Sequence, residues 1–245
     1  MKKYAILGAS SDIGRCLVQQ LNEKEENSSI LAHYRSAPDP FINMTLQNNN
    51  CIKTIRSDLS TIAGIEAITQ AIESYFDCPT HILHLCANKF EYMKFKDFDW
   101  NLFMYDFELQ IHSIIKICKI FIPKMLKLPC QTKIVFMLSS CVFDVPPKFM
   151  SSYIISKYAL LGTMKALASE YSGKNININA VSPSMIETKF LDNIDKRFVE
   201  INAGKSVGGR NADVSEIVPV MRFLLSDESN YMHGVNLNVS NGNVM

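Results

Sequence analysis

Three polar residues in the stretch 138–157 stand at spacings that could support proton transfer: Ser140, Tyr153 thirteen residues later, and Lys157 four beyond that. Residues four apart on a helix share a face, so Tyr153 and Lys157 point together if a helix begins near Ser151 or Ser152, both competent caps. Pro146 and Pro147 forbid helix just upstream. An ammonium within a few ångströms of a phenol favours the phenolate and lowers its pKa from ~10, which lets a tyrosine give or take a proton near neutral pH. Alone, such a pair is more often a partly buried ring beside a solvated amine. A hydroxyl at an upstream strand end and a glycine turn at the N-terminus move the balance toward chemistry.

The elements that must position these groups can be read in order. An apolar run from Lys3 leads into GASSDIG, residues 8–14, followed by RCLVQQL with helical apolar spacing at Cys16, Leu17 and Leu21. Strand, glycine turn and helix together aim backbone N–H groups and a helix N-terminus at a pyrophosphate. Gly8, Ser10, Ser11, Ile13 and Gly14 are therefore cofactor candidates. Asp12 also falls in the turn, and its carboxylate is expected to turn back and cap the helix rather than face an anionic ligand.

The second strand, 30–34, ends in His33-Tyr34-Arg35-Ser36. No acid stands there to bind a free ribose 2′-hydroxyl, whereas Arg35 and Ser36 suit a 2′-phosphate, which points to NADP(H) over NAD(H). Residues 37–50 read as a loop with at most a short helix. A third strand, 51–55, precedes Asp58 and Leu59; Asp58 either caps the next turn or contacts an adenine amino group, with capping the default. In the fourth, 81–87, His81 and His84 lie on opposite faces, which argues against a shared metal ion.

A helical region spans 98–128, with Pro123 expected to kink or break it. Strand 133–138, a helix to 173 and strand 175–181 follow, the last reaching Ser182-Pro183-Ser184. Residues 185–212 look like a mobile lid, Asp213 caps a helix to Leu225, and 235–239 forms a final strand. This alternation predicts an α/β fold, a doubly wound parallel Rossmann-type sheet, in one domain over 1–245. Gly8, Arg35, Asp58, Ala87, Ser140 and Pro183 all fall at strand ends, where such sheets bind ligands.

Composition narrows the classes. At 245 residues with 47% apolar residues the chain can bury one sizeable core. Its 25 Lys and Arg against 24 Asp and Glu give a net charge of +1, so neither nucleic acid nor an anionic membrane is indicated as partner. Seven cysteines in an odd count, with no C-x-x-C, fit reduced thiols in the cytoplasm. No apolar run approaches a membrane span, and the one before the glycine turn is too short for a signal-peptide core.

With these motifs in hand, the chain resembles the short-chain dehydrogenase/reductase family in its compact form, over essentially its whole length. Leu7–Gly14 stands where that family has T-G-x-x-x-G-x-G, Ser140 where it has its serine, Tyr153 and Lys157 where it has Y-x-x-x-K, and Pro183-Ser184 through Thr188 where it has P-G-x-x-x-T. The resemblance implies Tyr153 as proton donor and acceptor, Lys157 as the group that lowers its pKa and binds the nicotinamide ribose, and Ser140 as the group orienting a carbonyl. It also places Ile186 near the carboxamide with Thr188 beside it. A small-molecule carbonyl or alcohol as substrate, similarity to 3-oxoacyl-carrier-protein reductases, and a homo-oligomer, dimer or tetramer, are implied likewise.

Departures accompany the match. The family's N-N-A-G is Leu85-Cys86-Ala87-Asn88 here, with Cys86, Ala87 and Asn88 expected along the cofactor. The asparagine of its catalytic tetrad falls on Gln110, whose backbone carbonyl could still hold a relay water, and Ser184 replaces a glycine. These changes motivate an alternative: a nucleotide-binding protein of the same fold with little or no turnover, acting as a sensor or assembly partner.

Overall fold

The structure, a computed structural model, describes residues 1–36, 39–89 and 92–243. Positions 37 and 38 of the expected 37–50 loop lie outside the described residues; 39–50 form turns without a helix.

Seven strands form one sheet: β1 (Lys3–Leu7), β2 (Ser29–Tyr34), β3 (Cys51–Arg56), β4 (His81–His84), β5 (Thr132–Met137), β6 (Ile176–Pro183) and β7 (Asn236–Val239). Their order is β3-β2-β1-β4-β5-β6-β7, and every neighbouring pair is parallel. The central strands are buried on both faces, and the polar residues they carry, His81, His84, Lys133, Asn177 and Asn179, are buried with them. β3, on an edge, keeps exposed residues at every second or third position. The winding reverses beside β1, whose neighbours are β2 and β4, and this switch point opens a crevice at the carboxyl ends of the strands.

Two helical layers cover the sheet. On one face lie α2 (Ile62–Phe76), α4 (Ser113–Met125) and α5 (Ser151–Glu170), burying Ile68, Ile72, Ile114, Phe121, Leu160 and Met164. On the other, α1 (Asp12–Lys24) and α7 (Val214–Leu225) bury Leu17, Leu21, Ile217, Met221 and Leu224. His81 and His84 follow this division: His81 Nε2 meets Leu225 O at 3.1 Å, whereas His84 lies on the α4 side. Among the described residues no cluster of His, Cys, Asp or Glu could hold a metal ion, and no helix is long and apolar enough to cross a membrane.

Several local expectations need correction. The cap of α1 is Ser11, whose extended backbone lets its Oγ accept the Gly14 N–H; Asp12 instead reaches across to accept the Lys189 N–H at 2.8 Å. α5 begins at Ser151 with Met150 in the cap position and no side-chain cap, so neither serine performs that role. The region 98–128 is not one helix: α3 (Trp100–Phe107) passes into a wider π-type turn at Glu108–His112 before α4. Pro123 does not end α4, which runs two residues further because the proline sits in its last turn. Within 185–212, read as a less regular lid, α6 (Lys196–Lys205) forms a helix of ten residues. Asp213 caps α7 as expected, with Glu216 completing a capping box.

Candidate active site

The glycine turn after β1 is built by backbone geometry. Gly8 has φ +83°, a conformation that L side chains rarely adopt, and a Cβ there would lie 3.1 Å from Cys86 N, tight against the chain just past β4. A Cβ on Gly14 would lie 2.6 Å from Ala9 Cα, which shows how tightly α1 sits on its own turn. The Ser11 hydroxyl donates to Gly8 O at 3.0 Å and accepts from Gly14 N at 3.1 Å.

His33, which motif spacing does not bring forward, holds this turn from β2. Its Nδ1 accepts the Gly8 N–H at 3.1 Å, so the ring proton is on Nε2, which donates to Ser57 O at 2.9 Å. Burial pushes its pKa down to about 4, which keeps this acceptor neutral.

The crevice at these strand ends is about 1200 Å³, larger than a pocket for one small ligand. Gly8, Ser10, Ser11, Asp12 and Ile13 line it from the turn, and Arg35, Ser36 and Leu59 from the ends of β2 and β3. Cys86, Ala87 and Asn88 line it after β4, and Pro183, Ser184, Ile186 and Thr188 after β6. Gly14 lies behind the lining, serving helix packing. Asp58 does too: its Oδ1 accepts from the N–H and hydroxyl of Ser60, the capping outcome. Arg35 Nη1 donates to Asn88 Oδ1 at 2.9 Å and Tyr105 OH at 3.1 Å.

Ser140, Tyr153 and Lys157 all line the same crevice. Lys157 is buried, donates to Met137 O at 3.2 Å, and holds its Nζ 5.6 Å from the centre of the Tyr153 ring. The hydroxyl bonded to the phenol is Ser139, which also caps the tight turn Ser140–Val142; Ser140, itself buried, lines the crevice one residue on. The phenol pKa is raised, not lowered: burial dominates, the nearby Cys141 adds to it, and the Ser139 bond opposes it. Burial also lowers the pKa of Lys157.

Gln110 does not line the crevice. The π-type turn draws it fully inside, behind Leu109, with its Oε1 unpartnered and its Nε2 donating to Asp106 Oδ2 at 2.6 Å. Asp106 also takes longer bonds from the N–H and Nδ2 of Asn88 at 3.4 and 3.3 Å, so Arg35, Asn88, Asp106 and Gln110 form one chain of polar contacts. A carboxylate one helical turn before Gln110 was the sequence signal for it.

These residues fit a nicotinamide dinucleotide. The turn gives backbone close approach beside the N-terminus of α1, and the Lys157 bond to Met137 O uses one of three ammonium donors, leaving others for a ribose hydroxyl.

The sequence profile described as enoyl-(acyl carrier protein) reductase matches residues 8–243. The chain is 25% identical to NADPH-dependent aldehyde reductase 2, chloroplastic, of Arabidopsis thaliana, over 94% of this chain and 89% of that protein. It is also 25% identical to the 3-oxoacyl-acyl-carrier-protein reductase FabG of Buchnera aphidicola, over 100% of this chain and 98% of that one. The match to FabG of Thermotoga maritima, at 27% identity, covers 62% of this chain and 60% of that protein. Among solved structures, the aldohexose dehydrogenase of Thermoplasma acidophilum superposes with a TM-score of 0.83 at 21% identity, over 98% of this chain and 93% of that one, a likeness of fold. The chain belongs to the short-chain dehydrogenase/reductase family of oxidoreductases.

Proposed function

We propose that this chain, acting as one domain over 1–245, is an NADP(H)-dependent oxidoreductase that transfers hydride between the nicotinamide and a carbonyl or secondary alcohol, with Tyr153 as general acid and base. The observation carrying this is the meeting of Tyr153, Lys157 and two serine hydroxyls in the same crevice as the glycine turn and Arg35. The dinucleotide, when bound, supplies or accepts the hydride. Tyr153 gives its proton to the carbonyl oxygen as charge develops there, and Ser140 donates a hydrogen bond to the same oxygen. The raised phenol pKa keeps that proton in place until it is needed, the state that carbonyl reduction requires. Lys157, one helical turn away, offsets the phenolate left behind. Gln110 contributes through its backbone carbonyl rather than its sealed side chain.

Preference for NADP(H) rests on the Arg35 guanidinium and Ser36 at the end of β2, where His33–Ser36 offers no carboxylate, and on the name of the Arabidopsis relative. Free thiols at all seven cysteines accord with a cytoplasmic protein. Exposed Ile115, Ile120, Ile155 and Tyr158 on α4 and α5 accord with a homo-oligomer, dimer or tetramer, which light scattering tests.

Tyr153→Phe is expected to lower kcat by about 10²–10⁴-fold while NADPH affinity, read by its fluorescence, stays nearly unchanged. Undiminished turnover would remove Tyr153 from the mechanism. The sealed position of Gln110 favours a second reading, a nucleotide sensor without turnover. NADPH binding with no oxidation across a broad carbonyl panel would select it.

A further inference from the structure

Past Tyr153, apolar side chains from three segments, around Tyr92, Phe149 and Phe198, line the crevice. Phe149 has φ +67°, in the left-handed region that a bulky residue adopts only under strain. Its carbonyl accepts the Met93 N–H at 2.7 Å, and Met93 bridges to the buried Met150. The neighbouring Tyr92 stacks on Phe198 of α6, ring centres 4.6 Å apart and planes 17° from parallel. Ile201 lies one turn further along the same helix face. Phe149, Phe198 and Ile201 are 45%, 42% and 57% exposed, and all three line the crevice.

Several polar groups beside this wall already have partners. Lys89 pairs with Asp192 at 3.1 Å, Asp144 accepts the Val145 N–H at 2.7 Å, and Asn202 bonds both Asn211 and Asn243. Lys148 and Lys205 are exposed at the rim. A polyhydroxy carbonyl laid on the wall would find partners only at the rim and would give up water over the apolar part, whereas an apolar one would cover side chains that now face solvent.

We propose that this wall selects bulky apolar aldehydes and ketones, aryl ketones above all, over sugars, and that Phe149 and Phe198 determine that specificity. The proposal rests on the oxidoreductase reading and narrows it.

With NADPH present, kcat/KM for an aryl ketone such as propiophenone is expected to exceed that for aldohexoses by about tenfold or more. Phe198→Ala and Phe149→Gly should raise KM for the aryl ketone about tenfold with a smaller change in kcat, and the loss for compact 2,3-butanedione should be several-fold smaller. Phe149→Gly should also raise the melting temperature, since glycine relieves the left-handed strain. Equal or better turnover of aldohexoses, or equal losses on both ketones, would overturn the proposal while leaving the oxidoreductase reading standing. If nothing is turned over, calorimetric titration of propiophenone into the NADP-loaded protein separates the two. Binding that Phe198→Ala weakens keeps the wall and sinks turnover, and no binding sinks the wall as well.

Discussion

A neutral imidazole and a guanidinium flank the cofactor end of the crevice. His33→Ala leaves the Gly8 N–H and Ser57 O without partners. A cost of about 1–3 kcal/mol for each group left unsatisfied is expected, together with weaker NADPH binding, checked by urea unfolding with and without the dinucleotide. Arg35 spends its Nη1 on Asn88 and Tyr105, contacts that the proposed NADP(H) preference requires it to exchange for a phosphate. Arg35→Ala should weaken NADPH by about ten- to hundredfold and NADH far less in a fluorescence titration; equal losses would refute the phosphate assignment. Tyr153 and Lys157 were legible because helical spacing alone puts them on one face. Which of two adjacent serines bonds the phenol was not, since a single tight turn, Ser140–Val142, decides it. His33 was hidden because its partner, Gly8, lies in the turn after another strand, 25 residues away.

At the level of elements, the junction of β1 and α1 tolerates no added atom. Gly14→Ala would set a methyl group 2.6 Å from Ala9 Cα, so α1 must shift, at an expected cost of about 1–3 kcal/mol and with weaker cofactor binding. Gly162→Ala, inside α5 with nothing within 4 Å, should stabilise by about 0.5–1 kcal/mol. Paired thermal melts of the two variants check both signs. The strands were readable because parallel strands between helical layers bury both faces, which leaves apolar runs bounded by turn residues. Helix starts were less so: Ser11 and Asp12 are both competent caps, and the backbone conformation at position 11 chose between them. Nothing in the composition of Glu108–His112 marks the extra residue per turn that draws Gln110 inward.

Across the whole molecule, buried ionisable groups set where the fold holds. Burial lowers the pKa of His33 to about 4 and of His81 and His84 to about 3, from the ordinary 6.5. Below pH 6.5 the unfolded chain binds protons that the native rings refuse, so stability is full above 6.5 and falls as pH drops toward 4. A urea midpoint that stays flat between pH 7 and 4.5 would contradict this. Lys133, buried in β5 against Ser229, is lowered to about 8 from 10.5, so the unfolded chain holds a proton that the native state releases, and stability rises from pH 8 toward 10.5. Lys133→Met should be more stable than wild type at pH 7, with the advantage shrinking at pH 10; the Ser229 hydroxyl keeps its bonds to Leu224 and Ser226 carbonyls.

The strand order has a bearing on biosynthesis. With β1 seated between β2 and β4, Tyr4 pairs with His81, so a nascent chain cannot complete the middle of its sheet from the material that leaves the ribosome first. Until β4 arrives, one flank of β1 stays unzipped and open to other nascent copies, which makes a translational stall before β4 a route to aggregation even when every codon has been read correctly.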